Sequence, residues 1–228
     1  MREAMLFGLA LLASATMLDA RDPLTYSQLT RKMRDFQESR LLLTAVELDV
    51  FTAVGEGATA AQVASRLKTN TRATETLLNG LVSLGALTKQ DGRFNNTAEI
   101  APYLVPGSQE YARDSLMHTV HMWGAWSTLT EAVRLGTAPA RSGIGGDDRQ
   151  WTESFIAAMH RNAAQAAQAL VKQVGAANVR RMLDVGGGSG AYSIAFAQAN
   201  PALHADVLDI GAVVTIAQRH IDAAGLRG

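Results

Sequence analysis

The chain has 228 residues, 21 basic and 21 acidic side chains, no cysteine, and 47% hydrophobic against 18% charged residues. This length and apolar content specify a folded chain with ample core and exclude a disordered tail. The balanced charge gives no global field for nucleic acid or an anionic membrane; zero cysteine excludes disulfide scaffolds, thiolate zinc sites and a cysteine nucleophile, and fits a reducing cytoplasm.

Residues 4–18 carry no charge. Spanning a bilayer takes about 20 apolar residues, so this stretch is short for a membrane helix. Arg2, an apolar run and the small triplet Ala13-Ser14-Ala15 fit a secretory signal peptide, but Glu3 lies where such a leader is basic. The favoured expectation for residues 1–26 is an apolar helix or extension packed on the protein body or on a partner subunit.

Residues 27–105 read as a winged helix. Apolar side chains recur at helical spacing over residues 41–54, and Gly55 and Gly57 end that helix. Thr59 precedes Gln62 by three, a capping box opening a helix through Leu67, and a third helix over 71–84 stops at Gly85. Residues 86–90 and 93–97 flank Asp91-Gly92, the pair that a type I′ hairpin turn prefers because both positions need positive φ. Helices followed by a hairpin invite a DNA reading. Yet the third helix bears only Arg72 and Glu75 as charges, and residues 56–100 hold five basic and four acidic side chains. That is a poor electrostatic footprint, so packing and dimerisation are the expected uses.

Residues 106–175 read as a helical linker. Pro102 and Pro106 bracket a turn, and one long helix is expected over 110–135, closed by Gly136. His118 and His121 share a face of it and raise a metal hypothesis. No third ligand of suitable type stands at a supporting spacing, so two ordinary histidines are expected. Residues 137–148, with Pro139, Gly143, Gly145 and Gly146, read as a loop; Asp147 or Asp148 caps the next helix, which runs to Val174. On it Trp151, Phe155 and Met159 fall four apart as one apolar stripe, by itself a core signal.

The chemistry concentrates in residues 181–210, within a final segment over 176–228. Residues 181–185 read as a short buried strand that runs into Gly186-Gly187-Gly188-Ser189-Gly190 and a helix over 191–199. A second strand over 204–210 carries Asp209, twenty-three residues after Gly186, where Rossmann-type folds bind ribose hydroxyls with a carboxylate. Gly186, Gly188 and Ala191 fit the G-x-G-x-x-A pattern of a dinucleotide site. Asp184, Gly186, Gly188 and Gly190 equally fit D-x-G-x-G-x-G, an S-adenosylmethionine (SAM) signature. Two features favour SAM. Asp184 would repel a pyrophosphate but suits the cationic amino group of a methionine moiety, and no basic residue occurs from Leu183 to Gln198. A glycine turn without a ligand is the bland alternative.

These segments give the chain a family likeness. Over residues 35–228 it resembles the SAM-dependent small-molecule O-methyltransferases of the caffeic-acid and hydroxyindole type and their bacterial relatives. The likeness rests on the winged module, Trp126, Leu129, Val133 and Gly136, the run Phe155-Ile156-Ala157-Ala158-Met159, the glycine segment after Leu183-Asp184-Val185, and Val207-Leu208-Asp209-Ile210. It implies a mainly α N-terminal winged-helix dimerisation domain followed by the beginning of an α/β Rossmann-like class I methyltransferase domain.

The resemblance also implies roles. Asp184, Gly186, Gly187, Gly188 and Gly190 would hold the methionine end of SAM. Asp209 would take both ribose hydroxyls, and Ile210 would lie against the adenine. Phe155, Met159 and Trp126 would line the pocket of a small aromatic, hydroxyl-bearing acceptor. A homodimer through the N-terminal domain is implied, with no nucleic acid, membrane or metal, in the cytoplasm. The family usually has Pro where this chain has Gly211, so a looser adenine-side turn is expected.

Methyl transfer needs alignment, desolvation and a base for the hydroxyl proton. In that family the base is a histidine well downstream of the ribose-binding acid. His204 and His220 match no such position, so no catalytic residue is assigned and the base is expected beyond Gly228. Two parallel strands also fall short of a covered sheet. The chain therefore reads as the front part of a methyltransferase, with weak or absent turnover alone. The alternatives are a non-catalytic dimerisation and SAM-binding fragment and, further off, a winged-helix regulator.

Overall fold

A computed structural model describes residues 23–137 and 149–226. The expectations for residues 1–18 and for the loop over 138–148 lie outside the described residues. The chain divides into two compact units, Met1–Ser39 and Arg40–Gly228.

In the first unit, α1 (Tyr26–Arg34) opens on a full capping box in which Thr25 accepts from the Gln28 amide while the Gln28 side chain accepts from the Thr25 amide. Arg31, Lys32 and Arg34 occupy its last turn, where cations complement the carbonyl end of the helix. None of its residues is buried, and Tyr26, Leu29, Met33 and the following Phe36 are exposed large apolar side chains at helical spacing.

The second unit begins within α2 (Phe36–Glu47), followed by α3 (Val50–Val54), β1 (Ala58–Thr59), α4 (Ala60–Leu67), α5 (Thr71–Ser83), β2 (Leu87–Gln90) and β3 (Arg93–Asn96). The single helix expected over 41–54 is two. Asp49 sits at φ 60° and breaks it, and Arg113 fixes the break: its guanidinium donates to the carbonyls of Val46 and Glu47 and pairs with Asp49 at 3.2 Å. Those carbonyls are the ones a helix end leaves unpaired.

The capping box at Thr59 and Gln62 forms as expected, and Asn70 caps α5 by accepting from Ala73. The hairpin turns at Asp91 and Gly92 with φ of 50° and 75°. The very short β1 joins β3 on its other side, giving an antiparallel β1-β3-β2 sheet. Phe51, Leu78, Leu81, Leu87 and Phe94 are fully buried together at its centre. Each such side chain contributes about 1.5–3 kcal/mol.

A one-turn helix α6 (Ala101–Leu104) replaces the simple turn expected between the two prolines; Pro102 sits in its first turn, where a missing amide costs nothing. The long helix expected over 110–135 is also split, into α7 (Arg113–Trp126) and α8 (Leu129–Leu135). The hydroxyls of Ser127 and Thr128 donate to the carbonyls of Trp123 and Ala125, and this competition with the backbone ladder ends α7.

After α9 (Arg149–Val174) come β4 (Arg181–Val185), α10 (Ala191–Ala199), β5 (His204–Leu208) and α11 (Gly211–Ala223). β4 and β5 pair in parallel with Asp184 opposite Val207. Met182 and Ala205, from one face of this pair, pack with Phe196, Leu203 and Ala176. The strand expected to be buried is covered on that face alone: Leu183 is 62% and Val185 71% exposed on the other. Ile156 of α9 packs with Val213 and Ile216 of α11, which fixes α9 beside the parallel pair.

Candidate functional site

The site grows from the end of β4. The Gly186 amide donates to the Leu208 carbonyl at 2.8 Å, so the glycine run leaves the sheet beside the end of β5. Gly187 is packed from both strands: a Cβ there would lie 2.8 Å from Val207 Cγ1 and 2.9 Å from the Asp184 carboxyl carbon. Gly188, at φ 58°, turns its amide toward β5 and donates to Asp209 Oδ2 at 2.9 Å. The other Asp209 oxygen accepts from the Ile210 amide at 2.7 Å. The two features that the sequence separates by about twenty residues are thus one hydrogen-bonded corner.

Asp184 is half-buried and accepts from the Ser193 hydroxyl at 2.9 Å. Two carboxylates therefore flank the loop, and no basic side chain lies in the segment between Leu183 and Gln198. Such a corner suits a ligand with a cationic amine and free hydroxyls and disfavours one with phosphates. Ile210 is 48% exposed and directly precedes α11, whose first turn is tied down by the Val213 amide donating to the Ile210 carbonyl. Gly211, the position for which a looser turn was expected, is the first residue of that helix.

Comparisons with known proteins identify the family. The O-methyltransferase dimerisation domain matches residues 31–105, and the O-methyltransferase domain matches residues 126–227. The chain belongs to the O-methyltransferase family. It is 35% identical over 199 residues to a 3-hydroxy-5-methyl-1-naphthoate 3-O-methyltransferase of Streptomyces sahachiroi, covering 84% of this chain and 57% of the relative. An O-methyltransferase family protein from Burkholderia thailandensis superposes with a TM-score of 0.77 at 27% identity, over 90% of this chain and 62% of that one. Human N-acetylserotonin methyltransferase, solved with SAM, gives 0.68 at 25% identity, over 88% and 64%. The chain spans about three fifths of the length of these relatives.

In this chain the expected acceptor-side residues differ in exposure. Phe155 is half-buried, its ring stacked on Trp151 with centroids 5.2 Å apart, while Met159 is at the surface and Trp126 is 63% exposed. A cavity of about 780 Å³ opens between α7, α9 and α11 and is lined by Arg113, His121, Glu153, Ser154, Arg219 and His220 among others. Phe155, Met159, Trp126 and the glycine run are not part of its lining. Glu153 pairs there with Arg219 at 2.9 Å and with Arg149 at 3.2 Å. Burial raises its carboxyl, but these two arginines outweigh it and hold the pKa below the usual carboxylate range.

His118 and His121 make different contacts. His121 Nδ1 lies 2.9 Å from the Ser154 hydroxyl, which itself donates to the Trp151 carbonyl, so His121 is the donor of that pair. His118 turns its edge to the rings of Trp151 and Phe155. Burial, and the nearby His121, lower its pKa. Sequence reasoning missed His160, which meets the glycine run at Ser189, because a lone histidine four residues from Ile156 on a helix carries no pattern.

Proposed function

We propose that the chain binds SAM at the corner formed by residues 184–190 and Asp209 and belongs to an enzyme that methylates a hydroxyl of a small aromatic acceptor. The observation that carries this reading is the Gly188 amide bonded to Asp209, flanked by Asp184 on the closely packed Gly187. The residues present fit SAM: two carboxylates, a glycine turn packed closely at Gly187, and no basic side chain from Leu183 to Gln198 to hold a phosphate. SAM supplies a methyl group on a sulfonium, a leaving group that needs no metal. Asp184 faces the methionine amino group, directly or through water, with Ser193 fixing its rotamer. Asp209 accepts the ribose hydroxyls with lone pairs left free by Gly188 and Ile210, and Ile210 gives the adenine an apolar rest.

Phe155, Met159 and Trp126 are assigned to the acceptor side, consistent with the naphthoate named for the Streptomyces relative. The winged N-terminal module serves dimerisation and not DNA. The exposed Tyr26, Leu29, Met33 and Phe36 support a homodimer, which light scattering at micromolar concentration tests. Among the described residues no helix is long and apolar enough to cross a membrane.

Calorimetric titration with SAM, S-adenosylhomocysteine and NAD in turn tests the cofactor assignment. Saturable binding of the first two without NAD is expected; binding of NAD alone would overturn it.

A further inference from the structure

Within residues 186–190 four positions are glycine, so beyond backbone bonds to Leu208 and Asp209 the rest of the protein can grip the run by one side chain, that of Ser189. Gly188 and Gly190 on either side of it both have positive φ, at 58° and 74°. Glycine loses more backbone freedom on ordering than any other residue, so a run of this kind holds one shape only if something outside fixes it. Ser189 is 3% exposed, and its hydroxyl lies 2.8 Å from His160 Nδ1.

His160 stands near the middle of the 26-residue helix α9, far in sequence from the loop. Its ring is itself held: His220 of α11 stacks on it with centroids 4.1 Å apart and planes 22° from parallel. α11 is the helix that starts just after Asp209 and Ile210. One half-buried histidine pair therefore links α9, the glycine run and the helix behind the ribose carboxylate. Burial lowers the pKa of both rings, that of His220 to about 4, so both are neutral near neutral pH and suited to stacking.

We propose that His160 is a positioning residue for the SAM loop: through Ser189 it sets the backbone between Gly188 and Gly190, and so the amide that meets Asp209. The benefit to cofactor binding rests on the reading above; the effect on the loop does not.

The test uses amide hydrogen exchange of Gly188 and Gly190 in the ligand-free protein, followed by SAM calorimetry. His160→Phe keeps the stack but loses the polar atom, and exchange should quicken about twofold to tenfold, the range for losing one neutral hydrogen bond. His160→Asn places an amide group where Nδ1 was and should restore the wild-type rate. His160→Gln, whose amide mimics Nε2 instead, should not. Ser189→Ala should match His160→Phe, and the double variant should be no worse than either, because both delete the same contact.

A general packing role would not separate Asn from Gln in this way. If Phe does not fit at position 160, Ser189→Ala, which removes one oxygen, decides: faster exchange supports the proposal and unchanged exchange overturns it. Additive effects in the double variant would also overturn it. Absence of SAM binding by the wild type would sink the cofactor reading while the exchange result still decides this one.

Discussion

Gly187 and Gly211 are twenty-four residues apart in sequence and flank the same corner, yet alanine should have opposite effects at the two. At Gly187 a Cβ would meet Val207 Cγ1 at 2.8 Å and Asp184 Cγ at 2.9 Å, closer than van der Waals contact allows. Neither neighbour yields easily. Val207 is β-branched and sits in β5 opposite Asp184, whose carboxylate is fixed by the Ser193 hydroxyl. Overpacking of this kind costs about 1–3 kcal/mol. For a chain of this size that lowers Tm by about 2–10 °C.

At Gly211 no heavy atom lies within 4 Å of the added carbon, and the position begins a helix. Alanine there should raise stability by a few tenths up to about 1 kcal/mol. Scanning calorimetry of both variants gives the comparison, and SAM affinity should fall only for Gly187→Ala. A melting temperature for Gly187→Ala within about 1 °C of wild type would refute the packing argument.

Three further outcomes are expected. Arg113→Ala strands the carbonyls of Val46 and Glu47 and the carboxylate of Asp49 and should cost about 1–3 kcal/mol in urea unfolding; an unchanged midpoint would show that the helix break holds itself. His220 stays neutral in the fold to about pH 4, whereas in the unfolded chain it takes up its proton near its ordinary value of 6.5. Its contribution is therefore fully present above about pH 6.5 and lost as pH falls toward 4, about 1–2 kcal/mol after allowance for its partial exposure. His220→Phe should flatten the decline in Tm between pH 7 and pH 5, and an equally steep decline would count against it. Met33→Glu places a charge on the exposed apolar stripe of α1 and should shift the protein toward monomer in light scattering; an unaltered mass would remove that stripe from the interface.

Local signals were legible in the sequence wherever one residue type dictates one backbone state. The Thr59 and Gln62 box, the Asp91-Gly92 turn and the strand-glycine-helix unit at 181–199 form where expected. The two misread helices failed for one reason. Asp49 and the Ser127-Thr128 pair end helices through competing polar contacts, and Arg113, the residue that stabilises the first break, lies more than sixty positions away. The β1 strand, two residues long, exists only because β3 offers it an edge. At the site, spacing alone pointed to Asp209 beside the glycines. Gly187's contact with Val207 and His160's reach to Ser189 depend on tertiary approach, which no pattern in one sequence encodes.

The central claim is that the glycine run and Asp209 together make a SAM site. Calorimetric titration of SAM into the wild type, Asp209→Ala and Asp206→Ala tests it most directly, since Asp206 lies on β5, just before Asp209, but pairs with Arg181 at the surface. Loss of two hydrogen bonds to a charged acceptor predicts a fall in affinity on the order of 100-fold for Asp209→Ala, with Asp206→Ala within about twofold of wild type. Equal affinity in all three proteins would contradict the account.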